Sequence, residues 1–188
     1  MNVEFDAFDL VEITLFAERI HVVKMATKAK SNKYAKDKSE FELTYVGAMA
    51  EKAVSKAYNV PMNRAVHIGG DNGTDVVING YRCEIKGTTF TGPDPHIFID
   101  GMHVFKADVL ISVQILSPVK ARIIGFINRD DFIRDSDTIN FGYGDRLYVK
   151  PDHMDSIDVL LTNQPGSAPI AKPVPALNVP DDDFGGLF

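Results

Sequence analysis

The sequence has few residues of the kinds that define secreted, disulfide-bonded or membrane proteins. It contains one cysteine, Cys83, which cannot form an internal disulfide or by itself a zinc cluster, and this favours a reducing compartment. No apolar run approaches the roughly 18 residues that a membrane span requires. The first residues, MNVEFDAFDLVE, are acidic, whereas a signal peptide begins basic and continues apolar. We therefore expect a cytoplasmic protein with no membrane partner.

The composition and length predict one folded domain. The 188 residues are 45% hydrophobic and 24% charged, which is ordinary for globular proteins and excludes a wholly disordered chain. The net charge of −6 argues against a protein that coats nucleic acid by bulk attraction alone. Positive charge is nevertheless concentrated in one basic run. Asp37 is the only acid within it, among seven basic residues: Arg19, Lys24, Lys28, Lys30, Lys33, Lys36 and Lys38.

Hydrophobic periodicity predicts two helices in the first third of the chain. Over residues 9–25, apolar side chains recur at three- and four-residue steps, as on a helix with one buried stripe. A second and clearer stripe spans residues 43–57. This helix should end near Tyr58-Asn59, because Pro61 disfavours helical geometry in the residue before it.

Turn signals and apolar runs predict a hairpin and two further strands. Residues 74–86 form two β-type runs around Asn79-Gly80, the strongest two-residue hairpin signal. Residues 107–116 and 119–127 predict strands, and residues 128–133 predict the start of a helix with an acidic first turn. The order of elements predicts an α/β fold in which helices flank a mixed sheet.

The chain divides into a domain and a tail. Residues 140–161 predict a strand or loop and a short final helix, which completes a domain over residues 1–162. From residue 163 to 188 the sequence is rich in proline and has few large side chains. This composition predicts a flexible, disordered tether with an acidic and aromatic tip, DDDFGGLF.

The hairpin register brings two carboxylates together. With a two-residue turn, Asp75 lies opposite Glu84, and Lys86 follows on the same face. Facing like charges destabilise a sheet, but Mg²⁺ compensates them because it takes one or two carboxylates and completes its shell with water and substrate phosphate. The carbonyl of Ile85 is a candidate third ligand. Lys86 would orient or stabilise a nucleophile, and Glu51, on the flank of the second helix, adds a carboxylate.

These residues resemble the PD-(D/E)XK nuclease superfamily. Its pattern is a helical Glu, an Asp, and Glu-x-Lys on a hairpin, here Glu51 and then Asp75, Glu84 and Lys86 in GGDNGTDVVINGYRCEIKGTT. The resemblance implies a restriction-endonuclease-like fold and Mg²⁺-dependent hydrolysis of DNA phosphodiester bonds, with Mn²⁺ as a substitute. It implies that Asp75 and Glu84 are metal ligands, Lys86 the catalytic lysine and Glu51 an accessory acid. Thr74 stands where the superfamily's name has proline.

Further residues are candidates for contact with DNA. Gln114, on the polar face of the next strand with Ser112, corresponds by this resemblance to a glutamine that some branches place near the site. Lysines that neutralise phosphates would make binding steeply dependent on salt. An ordinary solvated surface is the alternative for the basic run. The candidate contacts are Lys28, Lys30, Lys33, Lys36, Thr88 and Gln114.

The C-terminal tip resembles the acidic tails of bacterial and phage single-stranded DNA-binding proteins. The resemblance implies docking onto a replication or recombination protein, with Phe184 and Phe188 as anchors and Asp181, Asp182 and Asp183 as steering charges. The tip could instead cover the protein's own basic groove. The remaining alternative is a solubilising end without a partner.

The expected function is DNA cleavage in recombination, repair or phage DNA processing, by an endonuclease or an exonuclease. The small size and the lack of a recognisable sequence-reading module favour structure- or end-directed cleavage, and a homodimer would cut two strands. Two other functions stay open: a binding module of the same fold with weak or absent chemistry, recruited through its tail, and an RNA nuclease.

A purely structural interpretation of the motif also stays open. In it, Glu84 and Lys86 lie on a solvated strand face and Arg82 pairs diagonally with Asp75, which contributes ~0–1 kcal/mol. The histidines lack metal-ligand spacing. His96 and His103 are nevertheless candidate contacts for a substrate.

Overall fold

Helices and two β-sheets make up the described chain. The computed structural model describes residues 1–27, 38–63, 73–101, 105–140, 142 and 144–162. The first elements are β1 (Asn2–Glu4), α1 (Ala7–Thr27) and α2 (Glu40–Tyr58). They are followed by β2 (Val76–Ile78), β3 (Tyr81–Thr88), β4 (Ile97–Ile99), β5 (Val109–Ser117), β6 (Lys120–Asn128), α3 (Arg129–Asp135), β7 (Asp137–Asn140), β8 (Asp145–Val149), a 3₁₀ helix (Pro151–His153) and α4 (Ile157–Thr162).

Both predicted helices are present, with ends close to the predicted ones. The α1 helix extends two residues beyond the periodic stripe at each end. Ser39 caps α2, because its side chain accepts a hydrogen bond from the backbone N–H of Glu42 while the Glu42 carboxylate accepts one from the backbone N–H of Ser39. The helix ends at Tyr58, as predicted, and Asn59 follows in the left-handed conformation with φ of 51°.

The described strands form two sheets. The larger is mixed, with the order β1-β6-β5-β3-β2, in which β3 and β5 are parallel and the other neighbours antiparallel. The smaller is antiparallel, with the order β4-β8-β7. The first strand, β1, lies at one edge of the larger sheet. The amino group of Met1 donates to the carbonyl of Ile123 at 2.8 Å, although the two residues are far apart in the sequence. The α/β class, the mixed sheet and the flanking helices are therefore confirmed.

The predicted hairpin turn and register are confirmed over three residue pairs. Val76 pairs with Cys83, Val77 with Arg82, and Ile78 with Tyr81. Asn79 and Gly80 both have positive φ, at 48° and 84°, as a two-residue turn of this hand requires.

A tie to the last helix holds the hairpin turn in place. The Asn79 side-chain amide donates to the carbonyls of Leu160 and Leu161, at 3.1 Å and 2.8 Å. These two carbonyls lie in the last turn of α4, where a helix leaves carbonyl groups without a partner of its own. The hairpin that carries the candidate site is therefore anchored to the C-terminal end of the described chain.

The central strand β5 is buried on both faces, and this divides the core in two. Val109, Ile111 and Val113 belong to the core under α1 and α2, whereas Leu110 packs with the smaller sheet. Partner residues on neighbouring strands share a face. On the second face, β3 and β5 place Glu84 beside Leu110, Lys86 beside Ser112 and Thr88 beside Gln114. The polar residues of β3 therefore face the gap between the two sheets.

A buried ion-pair cluster joins α1 to α2. Asp9 is buried and lies 3.0 Å from the ammonium group of Lys52, and it also pairs with Lys56. Burial alone would raise the pKa of Asp9, but hydrogen bonds from Lys56, the backbone N–H of Asp6 and Lys52 lower that pKa from 3.8 to about 2. The charged carboxylate is therefore part of what holds the two helices together.

This cluster predicts an acid-dependent loss of stability. Because the folded state holds the pKa of Asp9 below its ordinary value, the unfolded chain binds the proton more readily, and stability falls as the pH drops from about 5 toward 2. Urea unfolding of wild type and Asp9→Asn should show a free-energy difference at pH 7 that narrows by about 2 kcal/mol by pH 2. A difference that stays constant over this range would show that folding leaves the pKa of Asp9 unchanged.

Candidate active site

A cleft of about 320 Å³ lies where α2, the polar face of β3 and the smaller sheet meet. Four of its side chains are basic or carry an imidazole: Lys38, Lys86, His96 and Arg146. Other contributors include Thr88 and Thr89 at the end of β3 and Ser112 on β5. The Lys38 ammonium donates to the Thr89 hydroxyl. The cleft therefore offers positive charge and hydroxyl groups in one place, which suits an anionic ligand.

Glu84 and Lys86 form the ion pair at the base of this region. The Lys86 ammonium lies 2.5 Å from Oε1 of Glu84, whose side chain is 9% exposed, while that of Lys86 remains 41% exposed. No described residue donates a hydrogen bond to Oε2 of Glu84, although that atom is buried. A buried carboxylate oxygen without a donor is costly, so this oxygen is available for a cation.

Lys86 is held in its charged form by several carboxylates. Burial alone would lower the pKa of Lys86, but the negative charges of Glu84, Asp75 and Asp100 outweigh it and raise the pKa above 10.5. Lys86 is thus an ammonium at neutral pH. It can stabilise negative charge on a bound group, but it cannot take a proton from water.

Asp75 lies beside β3 but outside the hairpin ladder. The backbone N–H of Asp75 donates to the carbonyl of Cys83 at 2.9 Å, and its Oδ2 accepts a hydrogen bond from the backbone N–H of Ile85 at 2.6 Å. The ladder pairs end at Val76 and Cys83. The predicted opposition of Asp75 and Glu84 as a ladder pair is therefore wrong, because the Asp75 carboxylate bonds directly to the backbone of β3. Both carboxylates still act on Lys86.

Two details of the structural alternative for the motif, the Arg82–Asp75 pair and a solvated Glu84, are contradicted. Arg82 is engaged by Asp108, with its guanidinium nitrogens 2.6 Å and 3.1 Å from the two carboxylate oxygens. The predicted alternative had Arg82 pairing with Asp75. Glu84 is buried rather than solvated. A solvated strand face therefore does not describe this part of β3.

The structure places Glu51 on α2, outside the lining of the cleft. Glu51 is half-buried on α2, one helical turn after Gly47 and two turns after Leu43, which does line the cleft. Its role as an accessory acid stays a prediction. The backbone carbonyl of Ile85 as a metal ligand also stays a prediction.

Gln114 is hydrogen-bonded to the loop that follows β3. Its side chain is buried, and Nε2 donates to the carbonyls of Phe90 and Gly92 at 2.7 Å and 3.4 Å. No described residue donates to its Oε1. The amide therefore holds the loop that follows β3, and contact of Gln114 with nucleic acid stays a prediction. Thr88, in contrast, lines the cleft as a candidate contact should.

Sequence reasoning missed Arg146 at this site and named His96 only as a candidate substrate contact. Arg146 on β8 lies 3.0 Å from Asp100, and its guanidinium carbon is 5.2 Å from the centre of the Phe98 ring. His96 lines the cleft and has its ring centre 5.0 Å from that of Tyr148. Arg146 lies on a strand of five residues and His96 directly precedes one of three residues, so periodicity gave no signal for either.

The residues at β3 fit a magnesium ion that takes few of its ligands from the protein. Within the described ranges, no group of three or more His, Cys, Asp or Glu side chains is arranged to hold a metal. Mg²⁺ does not require such a group, because it is often bound by one or two carboxylates with water and phosphate completing six positions. The buried Oε2 of Glu84, which accepts no hydrogen bond from a described residue, is one candidate ligand; Asp75 acts electrostatically on Lys86 and lines a separate cavity.

Two predicted features lie outside the described residues. One is the lysine-rich part of the basic run, with Lys28, Lys30, Lys33 and Lys36. The other is the tail over residues 163–188, with its candidate partner-binding residues. His103 also lies outside them. These candidate contacts stay predictions from the sequence.

Comparisons of the chain with protein-family models, with curated proteins and with solved structures found no match. The likeness to PD-(D/E)XK nucleases therefore stays a resemblance of sequence motif. Among the helices of the described ranges, none combines the length and the hydropathy needed to cross a membrane.

Proposed function

We propose that this protein is a Mg²⁺-dependent nuclease of the PD-(D/E)XK type, with a restriction-endonuclease-like fold, that hydrolyses phosphodiester bonds in DNA. The observation that carries the proposal is the buried Glu84 carboxylate, which has one oxygen on Lys86 and the other without a described donor. This pair stands next to a basic cleft. A carboxylate for a cation, an ammonium and an anion-binding cleft are what phosphodiester hydrolysis requires.

The cleft supplies the contacts that a phosphodiester needs. Each phosphodiester carries one negative charge, and Lys38, Lys86 and Arg146 all line the cleft. The planar guanidinium of Arg146 is suited to paired hydrogen bonds with phosphate oxygens. It is oriented by Asp100 on one side and the Phe98 ring on the other. Because the guanidinium is already oriented, binding of phosphate costs less side-chain conformational entropy.

The carboxylates Glu84 and Asp75 would hold the magnesium ion. When bound, Mg²⁺ supplies polarisation of a phosphoryl oxygen and a lower pKa for a coordinated water. Mn²⁺ has similar oxygen preferences and is expected to replace it. Glu84 is fixed by its ion pair with Lys86, and Asp75 by its hydrogen bond from the backbone N–H of Ile85. Both carboxylates are therefore positioned before a cation binds.

Lys86 would stabilise the charge that develops on the phosphate group. Its ammonium has three donors, of which one is directed to Glu84. The raised pKa keeps it protonated, so it acts as a charge and a hydrogen-bond donor rather than as a base. Hydrolysis adds water across one P–O ester bond and gives a phosphate monoester and a hydroxyl end.

The size of the cleft supports cleavage at an end, flap or other unpaired region. A volume of about 320 Å³ is at the lower limit of the roughly 300–1,000 Å³ found for small-molecule sites. Such a space accepts a nucleotide-sized group rather than a duplex. This favours structure- or end-directed action in recombination, repair or phage DNA processing, as an endonuclease or an exonuclease.

Hydrolysis assays with a matched pair of lysine variants test this proposal. Purified protein is incubated with labelled single-stranded, duplex, flap and junction DNA and with RNA, in Mg²⁺, Mn²⁺ or EDTA. Lys86→Met should slow metal-dependent cleavage at least ~100-fold, because an ammonium that stabilises the transition state is lost. Lys120→Met is the control, because Lys120 is 39% exposed and also pairs with a strand glutamate, Glu4, at 3.6 Å.

Each other outcome has a definite meaning. Cleavage that persists in EDTA or in Lys86→Met would contradict the proposed site. Faster cleavage of RNA would make the protein an RNA nuclease. Binding of DNA without any cleavage would favour the binding-module function and overturn the proposed chemistry.

A further inference from the structure

The α1 helix is apolar on two sides, and only one of them is covered within the described chain. Ile13, Phe16 and Ala17 are buried against the rest of the fold. On the other side lies an outer stripe of large apolar residues, which are between 56% and 85% exposed. Its members are Phe8, Val11, Leu15, Val22 and Met25. A helix that is apolar on both sides normally has both of them covered.

The outer stripe has the spacing of a coiled-coil seam. Positions 8, 11, 15, 18, 22 and 25 follow alternating steps of three and four residues, and Glu18 is the polar member among them. Beside the stripe lies a shallow groove of about 790 Å³ whose described lining comes from α1 alone, with three charged residues among the apolar ones: Glu12, Leu15, Phe16, Glu18, Arg19, Val22 and Val23. One helix of similar size and pattern would fill this groove.

We propose that the outer stripe binds the same stripe of a second copy of this chain, with the two α1 helices antiparallel. A single register then places Phe8 opposite Met25 of the second copy, Val11 opposite Val22 and Leu15 opposite Glu18. The arrangement has twofold symmetry, so each contact occurs twice. It covers all five apolar residues of the stripe.

The charges beside the stripe select this occupant and this orientation. In the antiparallel register, Glu12 at the edge of the seam faces Arg19 of the second copy, and the symmetry repeats the pair. Arg19 is exposed, and Glu12 is 39% exposed although it contacts Lys52. In a parallel pair, Glu18 would lie against Glu18 inside the seam, and like charges there are unfavourable. The charged residues beside the stripe are therefore complementary to those of a second α1 helix that runs in the opposite direction.

The oligomeric state of the full chain tests the proposal. Sedimentation over about 1–100 µM should show a concentration-dependent dimer, since one helix face gives an interface of modest size. Leu15→Glu should raise the dissociation constant at least ~10-fold, because it places a second carboxylate opposite Glu18 at the centre of the seam. Ile133→Glu on α3 is the control, at a residue that is 45% exposed and outside the stripe. Unfolding midpoints confirm that both variants are folded.

Cysteine cross-linking tests the orientation separately. Mixed Val11→Cys and Val22→Cys proteins should form a disulfide-linked dimer, whereas each variant alone should form much less. The native Cys83 is buried, and burial raises its pKa to about 12, so it does not compete. Cross-linking of Val11→Cys alone would overturn the antiparallel arrangement. A wild-type monomer at 100 µM, or a dimer unaffected by Leu15→Glu, would overturn the proposal and leave the stripe to another partner or a lipid surface.

Discussion

Replacing Glu84 by glutamine should lower the rate of metal-dependent cleavage at least ~100-fold while the chain stays folded. Glutamine has nearly the same shape as glutamate but no charge, so it would neither attract Mg²⁺ nor pair with Lys86. The expected loss is large because, in the proposed site, the buried Oε2 of Glu84 holds the cation. That atom accepts no hydrogen bond from a described residue. Single-turnover cleavage with saturating enzyme measures the chemical step directly.

A second glutamate on a strand provides the control for this experiment. Glu4→Gln makes the same chemical change where the side chain is 79% exposed and lies 3.6 Å from Lys120. Exposed pairs of this kind contribute ~0–1 kcal/mol, so cleavage should be unchanged. Mg²⁺ should also raise the unfolding temperature of wild type and of Glu4→Gln but not of Glu84→Gln. Normal cleavage by Glu84→Gln would exclude Glu84 as a metal ligand.

Gly87→Ala should destabilise the fold by about 1–3 kcal/mol, because the added Cβ would collide with α2. A Cβ at residue 87 would lie 2.9 Å from the backbone oxygen of Val46 and 3.0 Å from the Cβ of Ala50. Neither atom can rotate away, so the helix itself must move. Val46 lines the cleft, and the same displacement should reduce cleavage as well as stability.

Gly47→Ala is the matched control for this steric effect. A Cβ at residue 47 would meet nothing within 4 Å, and alanine favours a helix interior over glycine by roughly 0.5–1 kcal/mol. Urea unfolding should therefore shift in opposite directions for the two variants. Equal shifts, or a stable Gly87→Ala protein, would show that the contact between β3 and α2 is loose.

The elements that were predicted correctly are those whose signals are local. The hairpin depends on Asn79-Gly80, two residues that adopt positive φ at little cost, and its register follows by counting from the turn. The α2 helix ends as predicted because Pro61 limits it. The strands β1, β4 and β7 were not predicted, because three or four residues are too few to show an alternating pattern.

The candidate site could be predicted only where it lies on the hairpin. Glu84 and Lys86 share a face by strand periodicity alone, and the structure places both as expected. Asp100 and Arg146 come from separate loops and strands, and only tertiary packing brings them together. Asp75 left the predicted ladder because a short acidic side chain can bond to a nearby backbone N–H in place of the strand pairing.

The larger sheet and the hairpin turn depend on contacts between residues that are far apart in the sequence. The Met1 amino group reaches Ile123, and the hairpin turn is tied to Leu160, so contacts of high sequence separation must form before either end is secured. Such topologies fold slowly, because chain entropy is lost before the contacts that compensate for it are made. The cleft itself draws on residues as distant as Lys38 and Arg146. A chain emerging from the ribosome therefore carries the complete hairpin motif long before it has a site, and the proposed activity is absent throughout most of synthesis.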